Sequence, residues 1–274
     1  MDKRSLVLYL SGLAATGVVV GLAASCSDQP RIKCTAGHGP FAAVYTYVSG
    51  DTDCAPLGEE VGVEAYNYPL PDNSNLDPNR GSLGMQSFEF TAEIDHHPPP
   101  ANDPDPNHLP YSKGDWATPE PGADNFCSVP SMNPAEQVLG YVAAKPPTLP
   151  DGGGGAAAVP YFHAKYTWSN VRFFNTPAAP GNQLIADLEY TKQVGDADGG
   201  MGTPCTAKVR VVGLWPFFDC SSDDGMGIDE SKCSPFPDNS KGRALGSGIS
   251  PDIAYRCHPD LKWCVLAKDP PSFK

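Results

Sequence analysis

Five stretches of the chain alternate apolar and polar residues with a period of two, and this pattern limits the fold more tightly than any other feature. In YFHAKYTWSN (161–170), Phe162, Ala164, Tyr166 and Trp168 share one face, and His163, Lys165, Thr167 and Ser169 share the other. In QLIADLEYT (183–191), Leu184, Ala186, Leu188 and Tyr190 oppose Asp187, Glu189 and Thr191, with Ile185 the one apolar residue on the polar side. In CTAKVRVVGLW (205–215), Ala207, Val209 and Val211 oppose Thr206, Lys208 and Arg210. QSFEFTAEI (86–94) sets Phe88, Phe90, Ala92 and Ile94 against Ser87, Glu89, Thr91 and Glu93, and Val61, Val63 and Ala65 mark a further run. Successive side chains of a strand point to opposite faces, so each run predicts a strand with one dry and one wet face, as in antiparallel sheets. FAAVYTYV (41–48) is apolar on both faces and reads as a central strand. Turn-forming runs such as SGDTD, PDNSNLDPNRG and GDADGGMG bound these segments, and one more strand is expected near 255–266. The expected fold class is all-β, a mainly antiparallel sandwich or barrel with at most one or two short helices. The runs 183–191 and 205–215 are joined as a hairpin, which would set Asp187 and Glu189 beside Lys208 and Arg210 on the wet face.

Residues 95–160 read differently. DHHPPPANDPDPNHLP cannot be a ladder strand, because proline lacks the N–H donor. PPTLPDGGGGAAAVP (146–160) has the composition of a flexible linker. Between them, NPAEQVLGYV carries Asn133 as N-cap, Pro134 at the first helical position and Glu136 two residues on, which predicts a short helix. The 30 prolines and 28 glycines among 274 residues argue against long helices. We expect a single β domain over 34–274 carrying a long proline- and glycine-rich excursion at 95–160; the alternative is two small β domains split near 146–160.

The amino end runs Lys3-Arg4 and then apolar or small residues from Ser5 to Ser25, the layout of a signal peptide over residues 1–25. Nine cysteines are present, an odd number for an exported chain. Setting Cys26 aside leaves Cys34, Cys54, Cys127, Cys205, Cys220, Cys233, Cys257 and Cys264, eight candidates for four disulfides. Among the many pairings that eight cysteines allow, loop length favours Cys257–Cys264 and Cys220–Cys233. Ala23-Ala24-Ser25-Cys26 resembles the lipobox of bacterial lipoprotein precursors, with Ala23 where that motif usually has leucine. The resemblance implies that the Cys26 thiol receives diacylglycerol, that cleavage makes Cys26 the first mature residue, and that residues 26–33 form a lipidated tether. It also implies a bacterial cell-envelope location. Ser27, in place of the aspartate that retains lipoproteins in the inner membrane, points to the outer membrane. The other readings of this segment are an uncleaved membrane anchor and ordinary secretion.

Chemistry is harder to place. Imidazole and carboxylate make His96, His97 and His108, with Asp95, Asp103 and Asp105, the metal candidates. Adjacent histidines on an extended chain point apart, however, and a solvated loop is the simpler reading. DCSSDDGMGIDE (219–230) fails the EF-hand pattern, because aligning Gly225 puts Cys220 first and Ser231 last. No G-x-S-x-G, H-E-x-x-H, P-loop or C-x-x-C occurs, and nothing selects His38, His163 or His258 for a catalytic triad. Trp116, Trp215 and Trp263 are candidate ligand-stacking groups or partly buried core. The formal charge of −13 repels phosphate backbones, so nucleic acid is not an expected partner. No cofactor and no catalytic residue is indicated. The expected role is binding or structural, with the membrane as one partner through the lipid and an envelope protein or carbohydrate as another. The alternative is an envelope hydrolase, metal-dependent or not, with its site in 95–160. A solvent-exposed aromatic stripe on a sheet face would favour binding.

Overall fold

The computed structural model describes residues 32–97, 102–146 and 155–274; the expected signal peptide and the expected lipid site at Cys26 therefore lie outside the described residues. In chain order the elements are β1 (Gly39–Gly50), β2 (Gly58–Pro69), β3 (Leu76–Ser87), α1 (Phe88–His96), β4 (Ser112–Asp115), β5 (Phe126–Val129), β6 (Ala135–Leu139), β7 (Phe162–Thr176), β8 (Ala179–Val194), β9 (Cys205–Leu214), β10 (Tyr255–Cys257) and β11 (Cys264–Leu266). Lys33–Lys274 make up one compact unit. One antiparallel sheet runs β4-β3-β2-β1-β9-β8-β7-β5, with β6 beside β5 on the same edge of β7.

This sheet curls until its ends nearly meet. Ala117 N–H donates to the Ser128 carbonyl (2.9 Å), Asn133 N–H to Lys113 (3.1 Å) and Glu136 N–H to Leu109 (2.8 Å), so the backbone at 109–117 runs against that at 128–136. The approach is tight at Gly114, where an added Cβ would lie 2.3 Å from the Ser131 carbonyl oxygen. With β5 and β6 sharing one position, the barrel has eight strand positions, a size whose interior side chains can fill.

The alternating runs face as their pattern requires. Phe162, Ala164, Tyr166, Trp168, Leu184, Ala186, Leu188, Tyr190, Ala207, Val209 and Val211 are all buried in one core with Phe41, Val61, Val63, Leu83 and Met85. Across β8 and β9 the register pairs Asp187 with Arg210 and Glu189 with Lys208. Glu189 and Lys208 form an ion pair at 3.0 Å, whereas Arg210 reaches Asp269 (2.8 Å) and Asp187 accepts from Asn170 (2.6 Å).

Three local expectations are corrected. The run 86–94 is not a strand: β3 ends at Ser87, whose hydroxyl accepts the Glu89 N–H (3.1 Å) and caps α1. Phe90 turns into the core while Phe88 stays exposed. The stretch at 133–142 is not a helix but holds β6, because Ala135, Gln137 and Leu139 bury one face against β7. Asn133 binds the Lys113 N–H (2.6 Å) through its side-chain oxygen and so serves barrel closure instead of a helix start. Nor are residues 95–160 only an excursion, since β4, β5 and β6 lie within them and complete the barrel. Tertiary pairing overrides local propensity in each case.

Beyond β9 the chain packs Ile249, Ile253 and Leu266 against Leu214 and Val212 in a second core. β10 and β11 pair there as a separate two-stranded sheet. The disulfides are Cys34–Cys127, Cys54–Cys205, Cys220–Cys257 and Cys233–Cys264, so the two short-loop pairings favoured by sequence are not the observed ones. Cys257 and Cys264 do face each other across β10 and β11, but each bonds to a cysteine of the 219–233 loop and pins that loop to the small sheet. On a Cys26→Ser chain, alkylation and mass measurement should tag no thiol before reduction and eight after it. Two or more free thiols in the native protein would overturn this pairing.

Candidate functional site

The carboxylates of Glu59 and Glu89 come together at the barrel end where β2 and β9 begin and β3 and β8 finish. Glu59 lies in phase with Val61 and Val63, so it points into the barrel instead of outwards. It accepts from the Tyr45 and Ser87 hydroxyls and lies 3.4 Å from that of Tyr166. Glu89, in the first turn of α1, accepts from Tyr166 (2.9 Å), from Tyr190 (2.8 Å) and from the Lys192 ammonium. The Tyr166 hydroxyl thus bridges two carboxylates, and Ser87 serves one of them while capping the helix that carries the other.

Burial drives the electrostatics of this network. It pushes Glu59 up to about 7, with the charge of Glu89 adding to the rise and hydrogen bonds from Ser87, Tyr45 and Tyr166 opposing it. Burial first, and then the two carboxylates, raise Tyr45, Tyr166 and Tyr190, so all three stay protonated donors.

Above the network opens a cavity of about 710 Å³, within the range of small-molecule sites. Its walls include Phe88, Phe217, Trp263 and the Cys54–Cys205 disulfide, and Asp53 and Glu60 add charge. Phe217 and Trp263 meet edge to face at 5.2 Å. The C-terminal segment supplies both rings and the barrel supplies the polar floor. A second concavity, of about 610 Å³, lies on the outer face of β2 and β3. Tyr66, Tyr68 and Tyr111 flank it, and Gly62 and Gly84 leave its floor bare. At Gly84 a Cβ would already touch the Tyr66 ring at 3.4 Å. Tyr66, on the outer face of β2, is 46% exposed, and Tyr111, just before β4, is 40% exposed, so two exposed rings flank this groove.

The histidines singled out from the sequence are not brought together. His96 is exposed on α1. His97 is buried, with its ring nitrogens on the carbonyls of Glu93 (2.7 Å) and Pro160 (2.8 Å), and it clamps the end of α1 to the approach of β7. His108 contacts Asp103 (3.0 Å), whose carboxylate also accepts the Val138 N–H (2.6 Å). Among the described residues, the one trio of metal-ligating side chains close enough to share an ion is Cys220, Cys233 and Cys264, all in disulfides. The acidic loop at 219–230 is built of turns in which Asp219, Asp224 and Asp229 accept backbone N–H groups two residues on. Of the three tryptophans that were candidate stacking groups, Trp263 lines the cavity, Trp116 packs on Phe173 in the core, and Trp215 donates to the His38 carbonyl (3.0 Å). Sequence reasoning missed Glu59 and Glu89. The signal for Glu59 was its phase: a carboxylate on the dry face of the β2 run.

No solved structure gives a significant match to the chain. A Myxococcus xanthus protein described as "Putative lipoprotein MlpA" is 26% identical over 288 aligned residues, which cover 99% of this chain and 98% of that protein. The MlpA family model matches residues 39–216, from the first residue of β1 to just past the last of β9; the chain belongs to the MlpA family.

Proposed function

We propose that this chain is a lipoprotein of the bacterial cell envelope, tethered through Cys26 in the outer membrane, whose barrel binds a small ligand at its mouth. The tether is supported by the lipobox at Ala23–Cys26, by the description of the Myxococcus xanthus relative, and by the cysteine pairing. Eight of nine cysteines are in disulfides, which leaves Cys26 as the odd thiol. No helix among the described residues is long and apolar enough to cross a membrane. Replacing Cys26 with alanine should abolish incorporation of labelled fatty acid and leave the precursor uncleaved. Label in the mutant, or none in the wild type, would refute the tether.

The binding role rests on one observation, the aromatic-walled cavity over the Glu59–Glu89 network. Beneath it the barrel holds one core of buried side chains, and at this end they give way to a cavity of small-molecule size. The tyrosine groove on β2 and β3 adds exposed aromatic surface of the same kind.

A further inference from the structure

We propose that the barrel-mouth cavity takes a small organic cation, an ammonium group on an aromatic or alkyl body, with Glu59 as its counter-ion. This rests on the binding reading above and names the ligand's chemical class.

Three observations carry it. The first is the pairing of surfaces. Phe88, Phe217 and Trp263 offer ring faces and edges to an apolar body, while carboxylates line the same cavity, and this combination suits organic ammonium groups. The second is the charge balance. Asp53, Glu59, Glu60 and Glu89 line the cavity with Lys192 as the sole cation among its lining residues. The third is that the chain already holds one ammonium in this way. Lys192 Nζ sits on the Glu89 carboxylate with the Phe162 ring 5.7 Å away and the Tyr190 hydroxyl on the same carboxylate. Glu59, the second carboxylate of the floor, has only neutral donors, Tyr45, Ser87 and Tyr166, and no described residue forms an ion pair with it. An incoming ammonium at Glu59 would repeat the arrangement at Glu89.

The affinity should then depend on protons. Tyr45, Ser87 and Tyr166 contact Glu59 directly, and Glu89, Tyr190, Lys192, Asp53 and Glu60 line the same cavity; the tyrosines stay neutral, and Glu89 already holds the Lys192 ammonium. A cation favours ionised Glu59, so binding should release a proton where the free carboxyl is protonated, and should tighten as pH rises through about 7.

The test uses detergent-solubilised full-length protein and calorimetric titration with three probes of matched body: phenethylammonium, the neutral 2-phenylethanol and the anionic 3-phenylpropanoate. At about pH 8 the cation should bind about tenfold or more tighter than either other probe, and its affinity should fall about tenfold or more by about pH 5. Glu59→Gln should remove that pH dependence. Trp263→Ala should weaken the cation while keeping the pH dependence, which separates wall from counter-ion. Equal or tighter binding of the alcohol or the carboxylate would overturn the cation assignment and leave the mouth a binding site. No binding by any of the three at millimolar concentration would overturn both readings.

Discussion

Leu188→Asp should unfold the domain, whereas Glu189→Gln, one residue on in the same strand, should leave the melting temperature nearly unchanged. Leu188 is 1% exposed in β8, between Trp168 of β7 and Val209 of β9 in the ladder. Emptying such a site costs about 2–5 kcal/mol for the lost packing alone. A carboxylate placed there has no cation in reach, since Lys208 and Arg210 lie on the opposite face of the sheet, and an unpaired buried charge adds several kcal/mol more. Together these approach or exceed the whole stability of a typical domain, about 5–15 kcal/mol. Glu189 sits on the wet face, half-exposed against an equally exposed Lys208, in a pair worth about 0.2–1 kcal/mol. Thermal melts of the two variants check this directly, and equal tolerance would mean that the inward and outward faces of β8 have been exchanged.

The second large effect is a loss of stability as pH rises, reversed by Glu59→Gln. Burial raises Glu59 from 4.5 to about 7, so its proton is held more tightly in the folded chain than in the unfolded one. The contribution of this group is therefore full below about pH 4.5 and is lost as pH climbs through about 7. A rise of that size corresponds to about 3 kcal/mol. Glutamine matches the neutral acid in shape and never ionises, so the variant should equal the wild type near pH 5 and exceed it by up to about 3 kcal/mol near pH 9. Asp224 and Asp229, lowered by hydrogen bonds from Ser222 and Ser231, act below the ordinary carboxylate range and leave this window clear. His258, lowered by burial, acts inside the window with the opposite sign, so the comparison must be variant against wild type. Urea midpoints at several pH values give the difference, and parallel curves for the two proteins would exclude a buried, protonated Glu59.

How far the sequence led depended on whether a segment's fate was decided locally. β7, β8 and β9 were legible down to the facing of Glu189 and Lys208, because over 162–168, 184–190 and 207–211 every second residue is buried and a one-residue slip would expose that face; the bulge after Ser169, where the buried phase of β7 changes, left no such pattern. β6 was hidden behind Asn133 and Pro134, good helix-start residues, of which the structure uses Asn133 to close the barrel seam instead. α1 was hidden because Phe88, Phe90, Ala92 and Ile94 alternate as a strand would, and only Ser87 as a cap marked the change. The site was the least legible part. Glu59 and Glu89 lie 30 positions apart with no motif between them, and they meet because β3 returns along β2 to deliver α1 to the start of β2. Trp263 joins them from a segment held by Cys233–Cys264. Long-range pairing of this kind carries no local signature.

The Cys34–Cys127 bridge has a mechanical consequence. A pull on the chain upstream of Cys34 does not have to be borne by the hydrogen bonds of β1. It passes through the bridge into β5, which is laddered to β7, one of the longest strands of the barrel. The 93 positions between the two cysteines would extend to about 300 Å if freed, and the bridge keeps that length out of reach of tension. Stretched from its amino end, the oxidised protein should stay short and stiff, and the reduced protein should lengthen by peeling from β1 onwards.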